Sequence, residues 1–384
     1  TTAAPSPLSR TWPAAAVVAC SHSIGSASAH PGWGEERSYA READRRVSPA
    51  SSTRATFTEP VPKSTPRAAR TPVTRGSIAY MHNRIAVVGS LNIDLVVELD
   101  RMPSAGETVF GTSLQRHPGG KGLNQAVAAA RLESEVHMIG AVGDDGSGDW
   151  LLDVVRRENI DARGVAQASG TSGTALIEVD ATGENRIIVI PGANNAVNPG
   201  AVADHLTSLG AVDVVLTQGE VPIDAMVAAA ETGRSIGARI VLNPAPVRDY
   251  PAELLRNVDV LVPNEHEAHE LTGMPVGNMV DAVEAAQALQ EKGPSCVIIT
   301  RGDKGAVWTS PEGSGQSAAF KVSPVDTVAA GDAFCGGLAS GLARGTTMAE
   351  AMRWGAAAGA LAATIKGAVP SLPSLEKVTE LLER

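Results

Sequence analysis

With 384 residues, 43 % hydrophobic but only 3 % aromatic, the chain can bury a large core built mainly from small side chains. Its net charge of −10 argues against a nucleic-acid surface, and no apolar run approaches the roughly 18 residues of a membrane-spanning helix. Cys20, Cys296 and Cys335 form no CxxC pair and no metal-ligand spacing, which suits a reducing, cytoplasmic setting.

Residues 1–80 hold 10 Lys/Arg and 5 Asp/Glu, the reverse of the acidic remainder, and are rich in Pro, Ser, Thr, Ala and Arg without sustained periodicity. They are expected to be a disordered leader or extension. A targeting segment is the competing reading, because residues 1–34 contain no acid and Ala14–Cys20 is briefly apolar. Met81, the first methionine, stands directly before the first strand and sets an expected domain of 81–384.

From Arg84 the pattern becomes regular. Strands are predicted at Ile85–Gly89, His137–Val142, Val212–Leu216, Ala238–Asn243, Asp259–Val262 and Cys296–Thr300. Helices are predicted at Gly122–Leu132, Gly148–Asn159, Asp224–Ser235, Glu265–Thr272 and Met279–Glu291. The alternation implies a doubly wound α/β fold, with a mostly parallel sheet flanked by helices. Asp94–Glu98 with Glu107–Gln115, and Thr174–Val179 with Arg186–Ile190, read instead as β-ribbon, the second pair joined by a hairpin loop at Asp180–Asn185. A small antiparallel sheet on an α/β body predicts a lid over about 94–117 and 174–191, able to exclude water from a reaction.

The strongest chemical signal is Ser323–Leu338, where Asp326-Thr327 and Gly331-Asp332 precede a Gly/Ala-rich helical segment. A helix N-terminus there would combine unpaired N–H groups, which hold developing anionic charge, with Asp332 as a base. Gly119-Gly-Lys-Gly-Leu-Asn-Gln-Ala126 opens another helix. It is neither a Walker A loop nor a GxGxxG turn, but its glycines permit close ligand approach, and Lys121 and Asn124 supply polar groups. Asn92 and Asp94, two apart on an extended segment, share a face and suit adjacent sugar hydroxyls. Glu220, and Asn264 with Glu267, follow strand ends, where such sheets bind ligands; the latter pair suits phosphates and Mg²⁺, directly or through water. His266 and His269 lack the i, i+4 spacing of a zinc pair, and Thr300–Gly305 is a Gly-rich turn suited to a nucleotide.

Together these segments resemble the ribokinase branch of the PfkB carbohydrate kinases over roughly Arg84–Arg384. The resemblance rests on Gly89–Asp94, Gly119–Ala126, Leu242-Asn-Pro-Ala-Pro246, Pro263–Glu267, Val325–Asp332 and Lys366-Gly-Ala-Val-Pro-Ser-Leu-Pro373, in that order and spacing. It implies ATP-dependent phosphorylation of D-ribose at the 5-hydroxyl, with Asp332 as base and Gly331 and its neighbours as the anion hole. It places Asn92, Asp94, Gly120, Lys121, Asn124 and Glu220 around the sugar. Asn264, Thr300, Gly302 and Gly305 would meet ATP, and Glu267 would help place Mg²⁺ or another divalent ion. It also implies a K⁺ site of Asp326, Val328, Ala362, Ile365, Gly367 and Ser371, the apolar members acting through backbone carbonyls. The lid edges are expected to pair in a homodimer. The competing readings are another sugar (2-deoxyribose, fructose or a nucleoside), a catalytically silent sugar-binding protein, and a structural oligomer that uses the lid only as an interface.

Overall fold

The computed structural model describes residues 82–311 and 313–384. The expected leader and Cys20 lie outside the described residues. In chain order, β1 (Arg84–Val88) runs into β2 (Asn92–Leu99) and β3 (Gly111–Gly119), then α1 (Lys121–Arg131), β4 (Glu135–Gly143), α2 (Gly146–Arg157) and β5 (Asp161–Ala168). The lid hairpin β6 (Gly173–Val179) and β7 (Asn185–Ile190) follows, then α3 (Pro199–Leu209), β8 (Val214–Gln218), α4 (Ile223–Ser235), β9 (Arg239–Asn243), α5 (Ala252–Asn257) and β10 (Val260–Leu261). The chain closes with α6 (Glu265–Thr272), α7 (Met279–Glu291), β11 (Cys296–Thr300), β12 (Ala306–Ser310), β13 (Gly313–Ser317), α8 (Ala330–Ala343), α9 (Met348–Ala362) and α10 (Leu375–Leu382).

A nine-stranded sheet runs β13-β12-β11-β10-β9-β8-β1-β4-β5, parallel from β11 to β5 and antiparallel at the β11-β12-β13 edge. Its central strands are short β-branched runs, such as Ile85-Ala-Val-Val88, buried on both faces. One apolar cluster packs α1, α2, α8, α9 and α10 on one face, and a second packs α3 to α7 on the other. Strand order reverses at β1, which lies between β4 and β8, and ligands in such sheets bind outside the carboxyl ends at that switch. Helix α8 is rich in glycine yet buried nearly throughout. Gly336, Gly337 and Gly341 bring its backbone onto Ala128, Trp354 and Ala351, where any Cβ would collide.

A separate four-stranded sheet, β3-β2-β6-β7, forms the lid. It corrects two expectations. The lid is mixed, because β2 and β6 pair in parallel: both leave the carboxyl edge of the body in the same direction, with Asn92 opposite Gly173. In addition, Glu107–Phe110 lie outside β3. Glu107 is held in a turn instead: its N–H donates to the Ser104 carbonyl, and its carboxylate accepts from the Ser104 N–H and pairs with Arg101. Smaller shifts have local causes: α2 starts at Gly146 because Asp145 caps it through the Gly148 N–H, and β8 extends to Gln218. Among the described residues, no helix is long and apolar enough to cross a membrane.

Candidate active site

The chain leaves β1 through Gly89-Ser90-Leu91 and enters the lid at Asn92, so the first lid residues sit at the carboxyl edge of the body. Asn92 is buried, and its Oδ1 accepts from Asn194 Nδ2 at 2.7 Å; Asn194 Oδ1 in turn accepts from the Leu91 N–H at 3.0 Å. Asp94 faces the same way and lies against the Cα of Gly119, where a Cβ would collide with both carboxylate oxygens. Burial, and then the negative charges of Glu220 and Asp332, push the Asp94 carboxyl from its ordinary 3.8 up to about 7.

Gly120 begins α1 with φ 91°, its Cα packed onto the Asn92 N–H and the Ser90 carbonyl, so only glycine fits. This turn aims the Lys121 N–H at Glu220 Oε2 (3.1 Å), which also accepts from Ser90 Oγ at 2.5 Å. Burial pushes the Lys121 ammonium toward the neutral form, but Asp332, Glu220 and Glu267 outweigh it and raise its pKa. Lys121 is therefore a held cation among carboxylates, suited to an anionic ligand.

Asp332 lies in the first turn of α8 and is buried. Its Oδ2 accepts from Asn124 Nδ2 at 3.0 Å and its Oδ1 from Gln125 Nε2 at 2.9 Å. Ala329 precedes the helix at φ 60° with no side-chain cap, and Gly331 is exposed with open space at its Cα. The carboxylate thus sits beside uncapped N–H groups that a ligand can approach, at the positive end of a helix dipole.

Asn264 and Thr300 adjoin through a bridge between the ends of β10 and β11. Gly302 and Gly305 bracket the turn after β11, Gly305 at φ 85° against the Ser317 carbonyl. Buried Arg301 anchors this turn to Glu265 at 3.1 Å. Glu267 forms a capping box on α6, taking the Asn264 N–H and Asn264 Nδ2, each at 2.9 Å. Burial raises its pKa despite those bonds and Lys121. With both oxygens already bonded, Glu267 fits a water-mediated contact to a divalent ion better than direct ligation. Among the described residues, no group of three His, Cys, Asp or Glu side chains is arranged to hold a metal by itself, so nucleotide phosphates would complete the coordination. His266 pairs with Glu270 and His269 faces the Met274 carbonyl.

Asp326 closes a loop beside α8: its Oδ1 accepts from the Val328 N–H at 3.0 Å and its Oδ2 from the Gly367 N–H at 2.8 Å. Ala362 and Ser371 are buried on the same segment, and Ile365 is partly exposed. One carboxylate with neutral backbone and hydroxyl oxygens is a donor set that fits K⁺. Cys335 is buried, and burial raises its thiol pKa well above the ordinary range, so it is packing rather than a nucleophile.

Sequence reasoning passed over Ser90, Gln125, Asn194, Gln218 and Asn243. All are buried; Ser90, Gln218 and Asn243 close apolar strand runs, and that signal marks them, whereas Gln125 and Asn194 carry no such signal.

Residues 82–375 match the pattern of the pfkB family carbohydrate kinases. The chain is 38 % identical over 305 residues to a ribokinase of Haemophilus influenzae, covering 79 % of this chain and 99 % of that protein. It is 37 % identical over 300 residues to a deoxyribokinase of Salmonella typhimurium, covering 78 % and 98 %. Among solved structures, the ribokinase of Thermotoga maritima superimposes with a TM-score of 0.72 at 35 % identity, covering 78 % of this chain and 99 % of that one. The α/β body, the separate lid sheet and these relatives agree: the chain belongs to the pfkB family of carbohydrate kinases.

Proposed function

We propose that this kinase phosphorylates D-ribose at the 5-hydroxyl, using ATP. The observation that carries the reading is the position of Asp332, a buried carboxylate in the first turn of α8 beside an open, uncapped helix start, with Asp94 and Glu220 close enough to act on one another's charge. Asn92, Asp94, Gly120, Lys121, Asn124 and Glu220 line the sugar site. The Asp332 carboxylate takes the hydroxyl proton, while the N–H groups around Gly331 hold developing phosphoryl charge. Asn264, Thr300, Gly302 and Gly305 receive the nucleotide, and Glu267 orients Mg²⁺ through water. The divalent ion, when bound, supplies charge neutralisation of the phosphates. Asp326, with Val328, Ala362, Ile365, Gly367 and Ser371, holds K⁺, whose charge orders the turn before α8.

Residues 81–384 form the working kinase domain, in the cytoplasm. The lid supports a homodimer: among the described residues the outward edge of β7 is unpaired, and Ile187, Ile188, Val189 and Ile190 are exposed along that strand. A second copy of the same strand is the self-complementary cover.

A second reading, 2-deoxyribose as substrate, is favoured by the deoxyribokinase relative at nearly the same identity. A competition assay with both pentoses, read as ADP release with products identified by NMR, separates them. Fructose and nucleosides in the same panel extend the test. Ribose is expected to win in kcat/KM, because polar groups built for the 2-hydroxyl are left unpaired without it. Asp94→Ala should narrow the gap and hurt ribose most. Preference for another sugar would leave a sugar kinase but not a ribokinase.

A further inference from the structure

Behind Asp332 lies a chain of buried amides that meets no ligand position. Gln125 follows Asn124 on α1, and its side chain is fully buried. Its Nε2 donates to Asp332 Oδ1 at 2.9 Å and to Asn243 Oδ1 at 3.2 Å. Its Oε1 accepts from Gln218 Nε2 at 2.7 Å, and Asn243 Nδ2 donates to the Val262 carbonyl at 2.9 Å. Gln218 ends β8, Asn243 ends β9, and Val262 directly follows β10.

Asp332 and Gln218 together dictate the orientation of Gln125, and the Val262 carbonyl dictates that of Asn243. An ionised carboxylate only accepts, so Gln125 must turn its NH₂ toward Asp332. Both N–H bonds of that amide are then used, one on the base and one on Asn243. Its oxygen is held by Gln218, so it cannot flip. The amides are neutral, so they constrain the carboxylate without adding a charge beside it. Asn124 touches the other oxygen of Asp332 from the ligand side. The sheet therefore reaches the base by a route that avoids the substrate.

We infer that Gln125, locked by Gln218 and Asn243, is a positioning residue that sets the orientation of the Asp332 carboxylate for proton abstraction. The inference rests on the reading of Asp332 as the base. A base displaced by about 1 Å loses on the order of 10²-fold in rate, while ground-state binding by other residues is untouched. Removing the lock should thus appear in kcat rather than in KM.

The test uses the full chain with Mg-ATP and D-ribose, or 2-deoxyribose if that sugar wins the competition. Gln125→Met keeps length and removes the donors. Its kcat should fall roughly 10- to 100-fold, with both KM values and the calorimetric sugar Kd within about twofold. Gln218→Met, which reaches Asp332 only through Gln125, should lower kcat less and add nothing in the Gln125→Met background. If Gln125→Met does not fold, Gln218→Met decides alone. Unchanged kcat in the folded variants, a loss confined to KM, or additive losses would each overturn the inference. Asp332→Asn in the same assay separates the two levels. If it retains turnover, the base reading falls and this inference with it; if it is dead while the glutamine variants are unaffected, only this inference falls.

Discussion

The two sheets of this molecule are woven from similar apolar strands and meet opposite surroundings. In the body, Ile85-Ala-Val-Val88 is wholly buried, with helices on both faces and strands on both sides. In the lid, Arg186-Ile-Ile-Val-Ile190 is exposed along its whole length, at an edge; Ile187 and Ile188 are each 55 % exposed. The body strands are held by burial, while the outer lid strand is held by backbone bonds to β6 and presents its side chains outward. The division matches the work of the site. In the proposed reaction the body supplies the base, Asp332, and its anchors, and the root of the lid supplies Asn92 and Asp94.

Four predictions test this division. Asp332→Asn keeps size but cannot accept the proton, so kcat should fall by at least about 10²-fold with the melting temperature preserved. Unchanged turnover would remove the body's base from the reaction. Next, Ile240→Ala, at a fully buried position of β9, should cost roughly 2–5 kcal/mol in denaturant unfolding, whereas Ile188→Ala on the lid should stay within about 0.5 kcal/mol at low protein concentration. Equal costs would erase the contrast between the sheets. Ile188→Lys adds the oligomer test: sedimentation should show monomers where the parent chain shows dimers.

Asp94 carries the third prediction. A carboxyl with a folded pKa of about 7 and an ordinary value of 3.8 binds an extra proton only when folded, so between those values stability falls as pH rises. Asp94→Asn removes that loss. The variant should melt a few degrees higher than the parent at pH 8, with the gain shrinking steadily toward pH 4. A gain independent of pH would mean that burial and the charges of Glu220 and Asp332 do not act on Asp94. The smallest effect concerns the loop around Asp326. ADP release in tetramethylammonium buffer should rise when K⁺ is added, and Asp326→Asn should abolish the response. Equal rates with and without K⁺ would dismiss the cation site.

Local pattern alone was sufficient for six body strands, five body helices, the Gly119–Ala126 helix entry, the Asp326–Asp332 turn and, apart from Glu107–Phe110, the two lid pairs; it left β5, β12, α3, α5, α9 and α10 unmarked. Each marked element is written in periodicity, capping and turn residues that act within a few positions. The edge strand β13 was not legible, because Gly-Ser-Gly-Gln-Ser has no strand preference and pairs only because β12 lies beside it. The parallel pairing of β2 with β6 was equally hidden, since it joins strands far apart in sequence. The residue types of the site were also readable, as polar groups placed at strand ends and helix starts. Which of them touch was decided by the tertiary structure. Gln125 meets Asp332 across 207 positions, and Asn92 meets Asn194 across 102. Hydrogen bonds over such separations depend on where the sheet order reverses and on how closely the glycine-lined helices approach, and no local spacing encodes either distance.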